Sequence, residues 1–420
     1  MTFSSSSLFR LINAKCIVGS SSKWSARSCA SLFNLRALST ATATTASDSS
    51  PWLMLPPEIK ASTTSYKFYS LDDNKVQTRC LSDEIRNLRL TCRGSSHGWL
   101  ALLSQHDDGF FLYNPISGRH IKLPSILNLP TFDAYEDILS SPRSVDKVIL
   151  SCSPDEDEDN CRVLIVRNWL NTSAFCCPGR SKEWTLMLDE NTDDKRYYSD
   201  CVYSSRGNLF YAVDSGRLET WDLGDLSSPK LIKVDKCILE EYYYFPSFKW
   251  FISKFLCGSK QHLVVAKEDL LYVVQYTMYE VAPDGACFDD EDDRCPIGCR
   301  YMTIGFDIFK YDSEKGKFKY LDSSSLGDLA IFVGKHSHSV AIQATEFPGV
   351  KPNSVYFTDA YGTGNLNGDD SDYNRQICGH DIGIYNYQDK TVSPCYYPCD
   401  VPSVKMTLPA PIWFFPSRTI

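Results

Sequence analysis

From about residue 94 the chain repeats one local design. A Gly-led or polar-led apolar strand is followed by a turn and by a second strand ending in an aromatic residue plus Asp or Asn. Gly98-Trp99-Leu100-Ala101-Leu102-Leu103 leads into GFFLYNPISGRHIKLP at 109–124, and Gly207–Val213 leads into Leu218–Asp222. His262–Ala266 is followed by Leu270–Tyr276 and by FDIFKYDSEKGKFKYLD at 306–322. Ser354–Asp359 is followed by HDIGIYNYQDKTVSPCY at 380–396. These strands are short, rich in Val, Ile, Tyr and Phe, and bounded by Gly, Asp, Asn and Pro. Turns such as Asn114–Gly118 and Asp312–Gly316 have hairpin chemistry. Helical periodicity is nearly absent. The gap between Tyr113 and Trp221 is near twice a kelch-like unit of about 50 residues. It leaves room for one more blade around Val148–Ser151, Arg162–Val166 and Trp184–Leu188. The repetition predicts an all-β fold, a single kelch-like β-propeller of about six blades. An irregular sandwich or two barrels is the alternative for repeats this unequal.

Charge separates the N-terminus from that body. Residues 1–47 hold no Asp or Glu but carry Arg10, Lys15, Lys23, Arg27 and Arg36, leaving 38 basic against 52 acidic residues in the remainder. An acidic body argues against broad binding to a phosphate backbone. No stretch approaches the roughly 18 consecutive apolar residues of a membrane-spanning helix. A secretory signal needs an unbroken apolar core, and Arg10 and Lys15 interrupt any such run. On a helix, Leu8, Leu11 and Ile12 fall on one side with Arg10 near the other, a weakly amphipathic basic presequence. Arg36-Ala37-Leu38-Ser39 resembles the arginine-before-cleavage pattern of mitochondrial presequences. The expectation is therefore a cleavable organellar transit peptide over residues 1–38, disordered or weakly helical, and a propeller domain over residues 51–416. Mitochondrion is the expected address, with chloroplast or dual targeting as the alternative and an addressless Ser-rich tail as the plainer reading. The 17 cysteines are irregularly spaced and read as mostly reduced, buried small hydrophobes.

Leu55-Pro56-Pro57-Glu58-Ile59 has the look of an F-box opening. No apolar helical pattern continues beyond Ile59, since Ala61 to Ser65 is only Ala, Ser and Thr, and Tyr66–Leu71 already reads as strand before a turn at Asp72-Asp73-Asn74. Trp52–Leu55 is instead expected as an edge strand that closes the ring with Ile412-Trp413-Phe414-Phe415.

The stretches PWLMLP, GSSHGWLALL, FFLYNPISGRHIKLP, GNLFYAVDSGRLETWDL and PAPIWFFP resemble the plant F-box/kelch-like proteins that carry the KIB-type β-propeller domain. The resemblance covers nearly all of the chain after the presequence. It implies a propeller that, in typical relatives, follows an F-box and serves as substrate receptor of a cullin-based ubiquitin ligase. Here a presequence stands where that F-box is expected, so the chain looks like an organelle-targeted branch lacking it, and a ligase adaptor is not expected as partner.

The sequence holds few candidate chemical motifs. Cys295/Cys299 and Cys395/Cys399 are C-x3-C pairs about 100 residues apart, and zinc pairs usually sit at C-x2-C or C-x4-C. Cys176 and Cys177 read as core or strand-edge residues. His336-Ser337-His338 places two imidazoles on one side of a strand, read as a polar blade face, and His97 beside Gly98 as a turn residue. There is no G-x-S-x-G or H-E-x-x-H, and Gly362-Thr363-Gly364 lacks the Lys-Ser/Thr of a P-loop. The acidic runs Asp155–Asp159 and Asp289–Asp293 lack calcium-loop spacing and read as solvated, disordered insertions, and Asn365–Asp372 as a long connection. No catalytic, cofactor-binding or metal residue is assigned and no cofactor is expected. The reading is a non-enzymatic protein-binding or scaffold module in the mitochondrion with a protein partner. The alternatives are substrate recognition for a ubiquitin ligase, an enzyme whose carboxylates converge on the propeller channel, and an organellar RNA binder.

Overall fold

A computed structural model describes residues 50–60, 63–81, 85, 88, 90–104, 109–129, 145–167, 172–188, 196–214, 216–236, 257–267, 269–281, 300–360, 381–395 and 411–416. The N-terminal segment 1–38, Cys295, Cys299, Cys399, Gly362–Gly364, Asp289–Asp293 and Asn365–Asp372 lie outside the described residues. Among the described residues the strands fall into four four-stranded sheets and one of nine strands, and together these form six propeller blades. From axis to rim, the first blade is built of Ile412–Phe414, Trp52–Lys60, Thr63–Ser70 and Val76–Cys80. The second runs Leu90–Ser96, Trp99–Ser104, Phe110–Tyr113 and His120–Leu123. The third runs Lys147–Leu150, Val163–Arg167, Thr172–Cys176 and Thr185–Leu186, and the fourth Tyr198–Ser204, Leu209–Asp214, Arg217–Asp222 and Lys230–Lys236. The nine-stranded sheet holds the fifth blade, Cys257–Ala266 to Lys317–Tyr320, and the sixth, which ends at Thr391–Ser393.

Burial explains the sequence pattern along each blade. Blades stack face to face, so an interior strand loses both faces to neighbours and reads as a continuous apolar run. Every residue of Trp99–Ser104 and of Val163–Arg167 is buried. Outermost strands meet water: Val76–Cys80 alternates between exposed and half-buried, and Lys230–Lys236 is mostly exposed. Six apolar clusters fill the six interfaces between adjacent blades. The last strand serves two of them at once, because successive side chains leave a strand on opposite faces. Ile412 and Phe414 join the cluster between the first and second blades, where Trp52 stacks on Phe414 with centroids 5.6 Å apart. Trp413 points the other way and meets Phe332 edge-on at 5.0 Å.

One expectation needs correction. Trp52–Leu55 closes the ring with residues 412–414, as Trp52 pairs with Phe414 and Met54 with Ile412. It is not an edge strand, because Thr63–Ser70 flanks its other side. The strand continues through Pro56 and Pro57 to Lys60, tolerated because the register shifts between Leu55 and Glu58 and pairing with residues 412–414 stops at Met54. The sixth blade also departs from a simple up-and-down order. A hairpin of Leu329–Val333 and Val340–Gln343 enters it, Leu329–Val333 lies parallel to Ser354–Phe357, and Val340 pairs with Val265 of the fifth blade.

Candidate functional site

The turn of that hairpin, Gly334–Ser339, crosses the propeller axis. Its backbone joins the innermost strand of the second blade. Ser95 N–H donates to the His336 carbonyl at 3.3 Å, and His338 N–H donates to the Ser95 carbonyl at 3.0 Å. Trp413 N–H donates to Ser337 Oγ at 2.9 Å, Lys335 N–H donates to the Asp359 carbonyl at 3.0 Å, and His336 Nδ1 lies 2.9 Å from the Asp146 carbonyl oxygen. One short segment thus touches the first, second, third and sixth blades. Small residues let it pass. A Cβ on Gly334 would lie 2.1 Å from Thr358 Oγ1, and one on Gly94 would lie 3.2 Å from the His336 carbonyl oxygen.

Beside this plug the inner strands of the third, fourth and fifth blades bring charged groups together. Lys147 Nζ pairs with Asp200 Oδ1 at 2.5 Å, and Asp200 Oδ2 accepts the Leu263 N–H at 2.9 Å, so one carboxylate ties three blades. Lys260 donates to the Ser199 carbonyl at 3.1 Å, and Lys335 Nζ lies 3.9 Å from Asp146 Oδ1. A cavity of about 20 Å³ remains between them, near the volume one water occupies. From His262 a chain of hydrogen bonds runs outward and back to the plug. His262 Nε2 meets Gln275 Oε1 at 3.0 Å, Gln275 Nε2 donates to Thr303 Oγ1 at 2.7 Å, and Thr303 Oγ1 donates to Asp381 Oδ2 at 2.5 Å. Asp381 N–H then donates to Asp359 Oδ1 at 2.7 Å, and the Asp359 carbonyl receives Lys335 N–H.

Desolvation sets the charge states here, since burial disfavours the ionised form. It lowers His97 to about 4 and His262 to about 3, and holds His336 and His338 well below the usual imidazole range. It also lowers Lys260, Lys335 and Arg93, with nearby aspartates opposing the shift. The imidazoles are therefore neutral at pH 7 and act as hydrogen-bonding and packing groups; His97 and His338 stack with centroids 5.3 Å apart. Among the described residues no group of three or more His, Cys, Asp or Glu is placed to hold a metal ion.

The family model for the KIB1-4 beta-propeller matches residues 68–386. The chain belongs to the KIB1-4 β-propeller family. Its relatives include F-box/kelch-repeat protein At1g57790 of Arabidopsis thaliana, 26% identical over 74% of this chain and 71% of that protein. A second, F-box/kelch-repeat protein At3g18720 of the same plant, is 27% identical over 41% of this chain and 43% of its own length. Among solved structures, TolB from Acinetobacter baumannii is similar with a TM-score of 0.37 at 11% identity, covering 86% of this chain and 65% of that one. A likeness at that score adds nothing to the fold read from the strand order. The matched span of this KIB1-4 propeller omits Trp52–Leu55 and residues 412–414, so ring closure rests on strands outside it.

In this KIB1-4 propeller the acidic run Asp155–Asp159 is solvated, as expected from its like charges, but it is a structured latch and not the disordered insertion expected. Trp99 Nε1 donates to Ser153 Oγ at 3.1 Å, Asn114 Nδ2 to Asp155 Oδ2 at 2.8 Å, and Arg119 pairs with Asp155 at 2.9 Å and with Glu158. On its other flank Arg162 donates to the carbonyls of Leu223 at 3.0 Å and Gly224 at 2.8 Å. Partners distant in sequence offset the repulsion that sequence alone sees. His336 and His338 do not form a blade face; they lie in the axial crossing, His336 half-buried and His338 buried. His97 is the turn residue expected, with φ of 49° before Gly98 at 77°. Cys176 and Cys177 are buried, as read from the sequence. Sequence reasoning missed Lys147, Asp200, Lys260, Gln275 and Asp381, which come from four different blades and carry no shared motif.

Proposed function

We propose that this chain is a non-enzymatic protein-binding module that works inside the mitochondrion after removal of residues 1–38, with the propeller spanning residues 51–416. The observation that carries the reading is the Gly334–Ser339 plug. It ties the axis to the surrounding blades mainly through backbone hydrogen bonds, so recognition falls to the loops around it, a broad surface suited to a folded protein. The acid-free, basic N-terminal segment supports the organellar address. Membership of a propeller family with kelch-repeat relatives supports protein binding. The names of those relatives favour a second reading, substrate recognition for a ubiquitin ligase.

The two readings part at the N-terminus. The full chain with a C-terminal fluorescent tag is expected to co-localise with mitochondria and to yield a new N-terminus near Ser39. Diffuse cytosolic or nuclear signal with Met1 retained would overturn the address and favour the ligase reading. Turnover by the purified mature protein, abolished by one substitution at the axis, would overturn the non-enzymatic part.

A further inference from the structure

Two cysteines face each other at the end of the hairpin that carries the acidic latch. The innermost strands of the third blade pair antiparallel with Leu150 opposite Val163, and the ladder continues where Ser151 N–H donates to the Arg162 carbonyl at 2.9 Å. The next positions outward are Cys152 and Cys161. Directly opposed residues of an antiparallel pair have Cα atoms about 4.5–5.5 Å apart. That lies within the roughly 4.4–6.8 Å a disulfide spans. The Cys161 thiol lies 3.3 Å from the Cys152 carbonyl oxygen, and Cys152 Sγ lies 3.6 Å from that of Asp157. Both thiols are free; Cys152 is half-buried and Cys161 buried.

The chemistry of the pair is asymmetric. Hydrogen bonding from the Cys161 thiol leads the causes that lower Cys152 to about 7, and the same contact raises Cys161. Burial instead raises Cys92, Cys176, Cys177, Cys201 and Cys395. A thiolate is the nucleophile in thiol chemistry, so partial exposure and easier ionisation mark Cys152 as the attacking sulfur.

We propose that Cys152 and Cys161 form a peroxide-reactive dithiol that closes to a disulfide across the base of the acidic loop. The Cys152 thiolate attacks one oxygen of hydrogen peroxide and breaks the O–O bond. Cys152 becomes a sulfenic acid, and the departing hydroxide takes up the thiol proton as water. Cys161 then attacks the sulfenic sulfur, the S–O bond breaks, and the second thiol proton leaves in a second water. Two thiols lose two electrons and one peroxide is reduced to two waters. The new bond clasps residues 153–160, whose Asp155 and Glu158 hold Arg119 of the neighbouring blade.

The test uses the purified full-length chain, brief hydrogen peroxide, alkylation of remaining thiols and peptide mapping by mass spectrometry. The expected product is a Cys152–Cys161 linked peptide, lighter by two hydrogens, formed while the other cysteines stay alkylatable and reversed by dithiothreitol. In Cys161→Ser, a sulfenic acid on Cys152 trapped by dimedone is the expected end point. Cys152 remaining fully alkylatable in the wild-type chain, or linkage of Cys161 to Cys177 in its place, would overturn the assignment. The wild-type measurement needs no variant to fold.

Discussion

Lys147 and Asp200 meet 2.5 Å apart across the seam between the third and fourth blades, with side chains only 6% and 2% exposed. Removing one member leaves the other as a buried, unpaired charge, which costs about 3–5 kcal/mol. Lys147→Met and Asp200→Leu are each expected to lose stability of that order in urea unfolding, while the double variant recovers most of it. Equal losses in single and double variants would show that the pair is not coupled.

Two desolvated imidazoles, half-buried His97 and buried His262, make stability depend on acid. His97 and His262 are lowered from about 6.5 to about 4 and about 3, so the folded state resists a proton that the unfolded chain accepts. Their contribution is present in full above the unfolded value of about 6.5 and is lost as pH falls from there toward the folded values. Each group contributes a slope of about 1.4 kcal/mol per pH unit inside that window. The urea midpoint is expected to drop between pH 7.5 and pH 5.5, and to drop less in His262→Gln. An unchanged pH slope in that variant counts against a neutral, desolvated His262.

Passage of the axial segment depends on Gly334. A Cβ there would stand 2.1 Å from Thr358 Oγ1, so Gly334→Ala is expected to cost about 1–3 kcal/mol through overpacking. Because the clash is with a hydroxyl and not with backbone, Thr358→Ala in the same chain should return part of the loss. Thermal denaturation of the four species checks this, and a fully additive cycle would place the strain elsewhere.

Arg119 has a different role. Its pairs with Asp155 and Glu158 are partly exposed, and such pairs contribute about 0–1 kcal/mol. Arg119→Ala should leave global stability within about 1 kcal/mol yet speed amide hydrogen exchange across Ser153–Asn160. Exchange unchanged there would mean that Trp99 and Asn114 hold the loop without it.

Much of the architecture was legible because strand pairs joined by tight turns leave a local signature. Trp99–Ser104 with Phe110–Tyr113, and Leu209–Asp214 with Arg217–Asp222, are marked by turn residues and by apolar runs. The hairpin Leu329–Gln343 escaped because its partners are parallel and non-local, and Gly334–Ser339 reads as an ordinary polar turn. The axial site was illegible for a related reason. Lys147 follows Asp146 at the head of a strand, where solvent is the default expectation, and only the ring brings Asp200 and Leu263 against it.

Ring closure sets an order on biosynthesis. Residues 412–414 are translated after the other described strands, yet they supply the innermost strand of a sheet whose other members, Trp52–Cys80, precede the remaining five blades. Until they arrive, Trp52 lacks its stacking partner and two inter-blade interfaces lack Ile412, Trp413 and Phe414. The ring therefore stays an open arc until residues 412–414 emerge. Until then the inner edge of Trp52–Met54 lacks its partner; once residues 412–414 dock, the circle is locked.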